Sequence, residues 1–438
     1  MIRFSLPLLL GLLPLLVAGC GKAPLDDIYT KDAAASDYGD LRLSRLVNDP
    51  QIRQQMATLE AAGQLPPQLA QKYRQQTDAA TEEKITDFFR GDKPSHIEDA
   101  LAESASWWNP RSPGNDLLVA TQGNAFLRKW DIRRITARSL LNQSRVRLPV
   151  NLESGHLADP TWIGTVHCLA RAELLAAASH AQSGDLNEAV TAVAFAMAHA
   201  DQLTQAPLVA ARNAAAAIRE ECYGTLRALL RHPALAANHL RTLETVFEQS
   251  HRRWPAEVPL WQADRTAGLH FFEMVRAGHF ASLLTREEYE ALKESGELAT
   301  MTAGVQRNVT RDQAFYLNAM QQVIELAEKP YNERVEGLTA IYDALSQARS
   351  AGDYPVISGD FLLNAMHAQH ASLAKDQARL ITWMTALQLA NGHAPKTLPT
   401  SPYTGRPIPL QEEATRVVVP FDDLPGEIPP LVVPKLSD

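Results

Sequence analysis

Cysteine is scarce in this chain: 438 residues contain three, Cys20, Cys168 and Cys222, and no CxxC pair. Basic tracts are missing too. No run of five or more Lys or Arg occurs and the formal net charge is −8, which argues against nucleic acid as a partner. Past the first twenty residues no stretch approaches the ~18 uninterrupted apolar residues of a membrane-spanning helix. HExxH, GxSxG, the phosphate-loop pattern GxxxxGKS/T and GxGxxG are all absent, which removes the commonest local signatures of catalysis and of nucleotide binding. What is present is apolar mass. With 45% apolar residues, the chain can bury one large core or two smaller ones.

The front end is organised differently from the rest. Arg3 precedes an apolar run from Leu6 to Val17, interrupted by Pro7, Gly11 and Pro14. That is the length of a signal-peptide core and too short to span a bilayer. Val17-Ala18-Gly19-Cys20 follows and resembles the lipobox of bacterial lipoproteins. The resemblance implies that residues 1–19 are a signal peptide, that the Cys20 sulfur takes a diacylglycerol, and that Cys20 becomes the acylated N-terminus. At ~0.8 kcal/mol per buried CH₂, two or three acyl chains hold a soluble domain on a membrane almost irreversibly. Gly21 stands where inner-membrane retention uses Asp, so the resemblance further implies the periplasmic face of the outer membrane. Setting Cys20 aside leaves Cys168 and Cys222 in an oxidising compartment. A disulfide between packed helices and two separate buried thiols are both open.

Residues 20–47 are small, polar and acidic, and read as a flexible tether. Helix punctuation then begins. Asp49-Pro50 opens a helix that Gly63 closes, and Asp159-Pro160 repeats the device. Ser95–Glu98, Thr285–Glu288 and Thr310–Gln313 have the spacing of capping boxes. The apolar residues between these signals keep a helical period, so residues 48–391 are expected to be all-α, an irregular α-solenoid or bundle. Strand-like sequence appears only near the end, as in "TRVVVPF" at 415–421.

The richest stretch runs from 161 to 231. Two alanine-rich segments flank Gly184-Asp185, with Glu188 placed to complete a capping box on Asp185. Ala176, Ala177, Ala178, Ala181, Ala189, Ala192, Ala194, Ala196, Ala198 and Ala200 allow close backbone approach. Gly184, Asp185, Leu186, Glu188, Ala189, Ala196 and Pro207 resemble a tetratricopeptide unit. The resemblance covers about forty residues and one unit, without the Trp and Tyr of the first helix. A repeat array needs about three, so the expectation is a tetratricopeptide-like hairpin within an irregular helical domain.

Residues 392–438 form a proline-rich strap. Gly392, Pro395 and Leu398, then Pro402, Tyr403, Gly405 and Pro407, resemble the C-terminal end of uncharacterised helical proteins from planctomycetes and other bacteria. His393-Ala394 and Ser401 depart from that pattern. The resemblance implies architecture and no activity: Tyr403 and the prolines are expected to pack back on the last helices.

Candidate chemistry is thin. His367 and His370 lie one helical turn apart, a spacing that can serve one metal, but core-edge histidines fit it better. His270 and Glu273 have the spacing of a base and its orienting carboxylate, with Phe271 and Phe272 marking the segment as core. Glu220 and Glu221 beside Cys222 are adjacent carboxylates, and successive helical residues point about 100° apart, so they cannot converge on one bond. Trp107 and Trp108, beside a polar loop, are the strongest candidate binding surface, for a sugar ring or a partner's apolar anchor, although helix-end tryptophans more commonly just close a core. No catalytic residue, metal or cofactor is assigned. The expectation is a membrane-anchored envelope lipoprotein whose helical body is a scaffold for another envelope protein. An α-helical hydrolase of wall or glycan material, or a binder of lipid or small ligands, is the alternative.

Overall fold

A computed structural model describes residues 99–104, 121–141, 160–351, 355–426 and 428–436. The architecture is all-α with one small sheet, as the apolar periodicity predicts. Ahead of it, residues 99–104 are helical and bury Ala100 and Ser104. The helices are α1 (Thr121–Leu141), α2 (Thr161–Gln182), α3 (Leu186–Gln205), α4 (Val209–Leu229) and α5 (Ala237–Arg252). Then come α6 (Val258–Arg276), α7 (Arg286–Glu294), α8 (Leu298–Leu326), α9 (Tyr331–Ser350) and α10 (Met366–Ala390). A π-helical segment, Ile357–Leu362, lies between α9 and α10. Strands β1 (Gln411–Glu412), β2 (Arg416–Val419) and β3 (Leu431–Pro434) make an antiparallel sheet in that order.

Two hydrophobic cores share one helix. The first joins α1 to α5, the later part of α10 and the strap, around Tyr223, Phe247 and Trp383. Their rings stack, with Tyr223 and Trp383 centroids 5.2 Å apart and Phe247 and Trp383 5.8 Å apart. The second joins α6, α8, α9 and the π segment to the start of α10, around Trp261, Phe271, Phe272 and Tyr316. Helix α10 runs from one core into the other, so Leu373 and Ala374 belong to the second and Trp383 and Leu387 to the first.

The α2–α3 hairpin shows why its sequence turns where it does. Gly184 sits at φ +84°, a conformation open to glycine at little steric cost. The Asp185 N–H reaches back to the His180 carbonyl at 2.9 Å, which closes α2. Asp185 then caps α3 by accepting the Glu188 N–H. Ala176, Ala177, Ala181, Ala189, Ala192, Ala196 and Ala200 are buried where the helices meet, while Ala194 and Ala198 are partly exposed.

The other start signals divide. Thr285 and Glu288 form a reciprocal capping box at the head of α7. Pro160 is the N-cap of α2 rather than its first helical residue. The expected box at Thr310–Gln313 is corrected: it lies inside α8, which runs unbroken from Leu298 to Leu326. There Asp312 caps across space instead, its carboxylate accepting the Ile357 N–H at 2.7 Å and the Ser358 N–H at 3.0 Å. Asp49-Pro50, Gly63 and Ser95–Glu98 lie outside the described residues.

The strap is more regular than its prolines suggest. β2 falls within the strand-like stretch, and Val417 and Val419 point into the first core. β3 was hidden by its proline neighbours. It is an edge strand, where Pro434 costs no ladder bond on its open side, and Leu431 and Val433 are fully buried. Tyr403 stacks on Tyr331 of α9 with centroids 4.9 Å apart, and the Tyr331 N–H donates to the Pro402 carbonyl at 2.9 Å.

Candidate functional site

The titratable residues singled out in the sequence are drawn apart by the fold. Glu220 pairs with Arg379 of α10, whereas Glu221 turns toward α2. There it accepts from Arg171 at 2.7 Å and meets the His167 ring at 3.2 Å. Burial works to raise the Glu221 carboxyl, but hydrogen bonds from His167 and Arg171 win and hold it at about 2. The two adjacent carboxylates thus serve different helices, as the 100° step requires.

His367 and His370 do not face one point. His367 Nδ1 is 3.2 Å from the Tyr331 hydroxyl. His370 is fully buried, its ring stacked on Trp261 with centroids 4.1 Å apart, and its Nδ1 lies 2.9 Å from an Arg334 nitrogen. Burial first, then the Arg334 charge, push the His370 imidazole down to about 3, so it is neutral at ordinary pH. Arg334 itself is occupied by Glu257 at 2.5 Å. Among the described residues, no three His, Cys, Asp or Glu side chains are grouped so as to hold a metal ion.

His270 is buried in the second core. Burial pushes the Glu273 carboxyl up to about 8, against Arg276, and the Asp264 carboxyl up to about 6. Both lie on α6, but nine residues of helix separate them by about 13 Å of rise, so they do not form one acid–base pair. Cys168 and Cys222 are buried thiols that form no disulfide, and burial raises both, Cys168 to about 12. Cys20, Trp107 and Trp108 lie outside the described residues.

Most buried charge instead holds helices together. Arg219 of α4 is fully buried, donates to Asp376 of α10 at 2.5 Å and lies 3.4 Å from Asp201 of α3. It also donates to the Thr204 hydroxyl, and its guanidinium lies 4.8 Å from the Trp254 ring centroid. Ser250 of α5 donates to the other Asp201 oxygen at 2.6 Å, so four helices meet around the Arg219–Asp201 pair. Burial raises the Asp201 and Asp376 carboxyls and Arg219 works against it. Glu173 of α2 takes Arg134 and Arg138 of α1 in the same way, at 3.1 and 2.5 Å. These groups are structural, each committed to a partner.

The outer face of α1 stands apart. Its inner face buries Phe126, Trp130 and Ala137. On the opposite face Ile132 is 81% exposed and Ile135 55%. They are neighbours at i,i+3, one turn from the exposed cations Arg128 and Lys129. A basic rim around an apolar pair is a surface a partner can cover. The sequence does not announce this face, because TQGNAFLRKWDIRRITARSLL has apolar residues nearly all round the helix, and only the fold shows which are left outside.

Comparison with protein-family models, with curated proteins and with solved structures finds no significant match.

Proposed function

We propose that this protein is a lipid-anchored lipoprotein of the bacterial cell envelope. Cys20 holds it at the periplasmic face of the outer membrane, and its tetratricopeptide-like helical body is a scaffold that binds another envelope protein. The observation that carries the binding half is the α1 face, where two isoleucines stand in solvent beside Arg128 and Lys129. The partner fitting it offers an apolar anchor with acidic residues around it, by complementarity of charge. The internal pairing of Arg219, Glu221 and Glu173 supports a body built for shape rather than chemistry. No helix among the described residues is long and apolar enough to cross a membrane, so the anchoring half rests on the lipobox.

A crosslinked pull-down from intact envelopes tests the reading, comparing the native protein with Cys20→Ala and with Ile132→Asp/Ile135→Asp. Recovery of one envelope protein, weakened by either change, supports it. Recovery of only lipid and bulk porins, the same in all three samples, sinks it.

A further inference from the structure

A cleft of about 240 Å³ lies between α4, α10 and the strap, lined by Glu220, Arg227, Lys375, Arg379, Gly426, Ile428 and Pro429. Three of these residues are cations and one is a carboxylate. Glu220 is taken by Arg379, which leaves Arg227 and Lys375 without a carboxylate partner among the described residues. Among the described residues Arg227 gives one hydrogen bond, from Nη2 to the Pro429 carbonyl at 2.9 Å, and its buried Nε has no partner. Lys375 is partly buried, and burial alone acts on its ammonium, pulling it below the usual lysine range. Burial also lowers Arg227, to about 10, and no carboxylate among the described residues offsets this. A desolvated cation without a counter-ion is unfavourable, and here two line one small space.

The cleft is also built. The Arg227 guanidinium lies 5.7 Å from the Trp383 ring centroid and 6.0 Å from that of Phe421. Arg379 lies 4.9 Å from Tyr223 and 5.9 Å from the same Phe421. Stacking occupies the faces of a guanidinium and leaves its N–H edge for an acceptor in its plane. Phe421 sits at φ +60°, the one non-glycine residue with positive φ among those described. Such a conformation is strained for a side-chain-bearing residue, and it places one ring near two arginines.

We infer that this cleft is a binding site for a single phosphoryl group, held by Lys375 and the edge of Arg227. These two cations match the charge of about −1.5 to −2 on a phosphate monoester, whereas a carboxylate would leave one of them unpaired. The volume is below the ~300–1,000 Å³ of sites that enclose a whole small molecule, so the cleft takes the phosphate and leaves the rest of its bearer outside. That bearer is either a phospholipid head group or a soluble phosphorylated compound. The site is independent of the α1 face and of the proposed protein partner.

Titration calorimetry with inorganic phosphate, at constant ionic strength in chloride, tests the inference on the full chain carrying Cys20→Ala. Saturable binding is expected, weakened about tenfold or more by Lys375→Gln through loss of a charge-assisted hydrogen bond and kept by Lys375→Arg. Lys375 makes no hydrogen bond or ion pair among the described residues, so Lys375→Gln should melt with the parent. Arg227→Gln gives the same readout through the second cation. Co-sedimentation with vesicles of phosphatidic acid in phosphatidylcholine, lost in Lys375→Gln, identifies a lipid head group as the source. Phosphate binding without sedimentation identifies a soluble one. Absence of both, or phosphate binding unchanged in Lys375→Gln and Arg227→Gln, overturns the inference.

Discussion

Replacing Arg219 by Met tests whether buried charge organises the first core. The side chain is fully buried and links Asp201, Asp376 and Thr204. Met keeps much of its length and apolar contact but leaves two buried carboxylates without their cation. Breaking a buried pair from one side costs about 3–5 kcal/mol, a large share of the ~5–15 kcal/mol by which domains are stable. Burial already raises both carboxyls, and Arg219 is the largest influence lowering them, so its removal raises them further. A carboxyl whose folded pKa lies above its unfolded value binds its proton more tightly when folded. Its stability contribution therefore falls as pH rises through that interval. Urea unfolding followed by circular dichroism should show Arg219→Met less impaired at pH 5 than at pH 8. The triple variant Asp201→Asn/Arg219→Met/Asp376→Asn should return to within about 1–2 kcal/mol of wild type. A single-variant loss under about 1 kcal/mol, or a deficit that grows on acidification, would refute the reasoning.

His199 is fully buried, both ring nitrogens lack a partner among the described residues, and burial followed by the Arg138 charge pushes it down to about 3. His199→Leu should stabilise by about 1 kcal/mol at pH 7 by removing an unsatisfied polar ring. The wild type should also lose about 1.4 kcal/mol per pH unit below 6.5 through this residue, a limb missing from the variant in pH-dependent denaturation. Gly268 lets α6 approach α8, since a Cβ there would come 2.5 Å from Tyr316 Cζ. Gly268→Ala should lower stability by about 1–3 kcal/mol despite gaining helix propensity, and should stabilise instead in a Tyr316→Ala background when both are compared by thermal melts. Cys168 and Cys222, buried with raised thiols, should resist iodoacetamide in the native state and react in denaturant. Rapid native labelling seen by mass spectrometry would contradict their placement.

Local signals were legible and distant pairings were not. Gly184-Asp185 announces the hairpin because a left-handed turn and a helix cap need those residue types in that order. Thr285–Glu288 is a real box, yet Thr310–Gln313 has the same spacing and lies mid-helix. Only the tertiary position of Asp312 against Ile357 and Ser358 tells them apart. The Arg219–Asp376 pair spans 157 positions, beyond any local pattern. Lys375 stands in the same "HAQHASLAKD" segment as His367 and His370. The histidines carry the familiar metal spacing, whereas the lysine matters because of Arg227 and the strap, which no spacing encodes. The exposed pair Ile132 and Ile135 was equally hidden, since an apolar residue on a helix usually marks a buried face.

The proposed scaffold role requires that α1 meet a protein in the envelope. A photo-crosslinking amino acid at Ile132, activated in intact cells, tests this directly, with the same probe at exposed Glu290 of α7 as control. One discrete protein adduct at position 132, absent at 290 and weakened by Cys20→Ala, is the predicted result. No adduct at 132, or the same lipid and porin background from both positions, would contradict the scaffold reading.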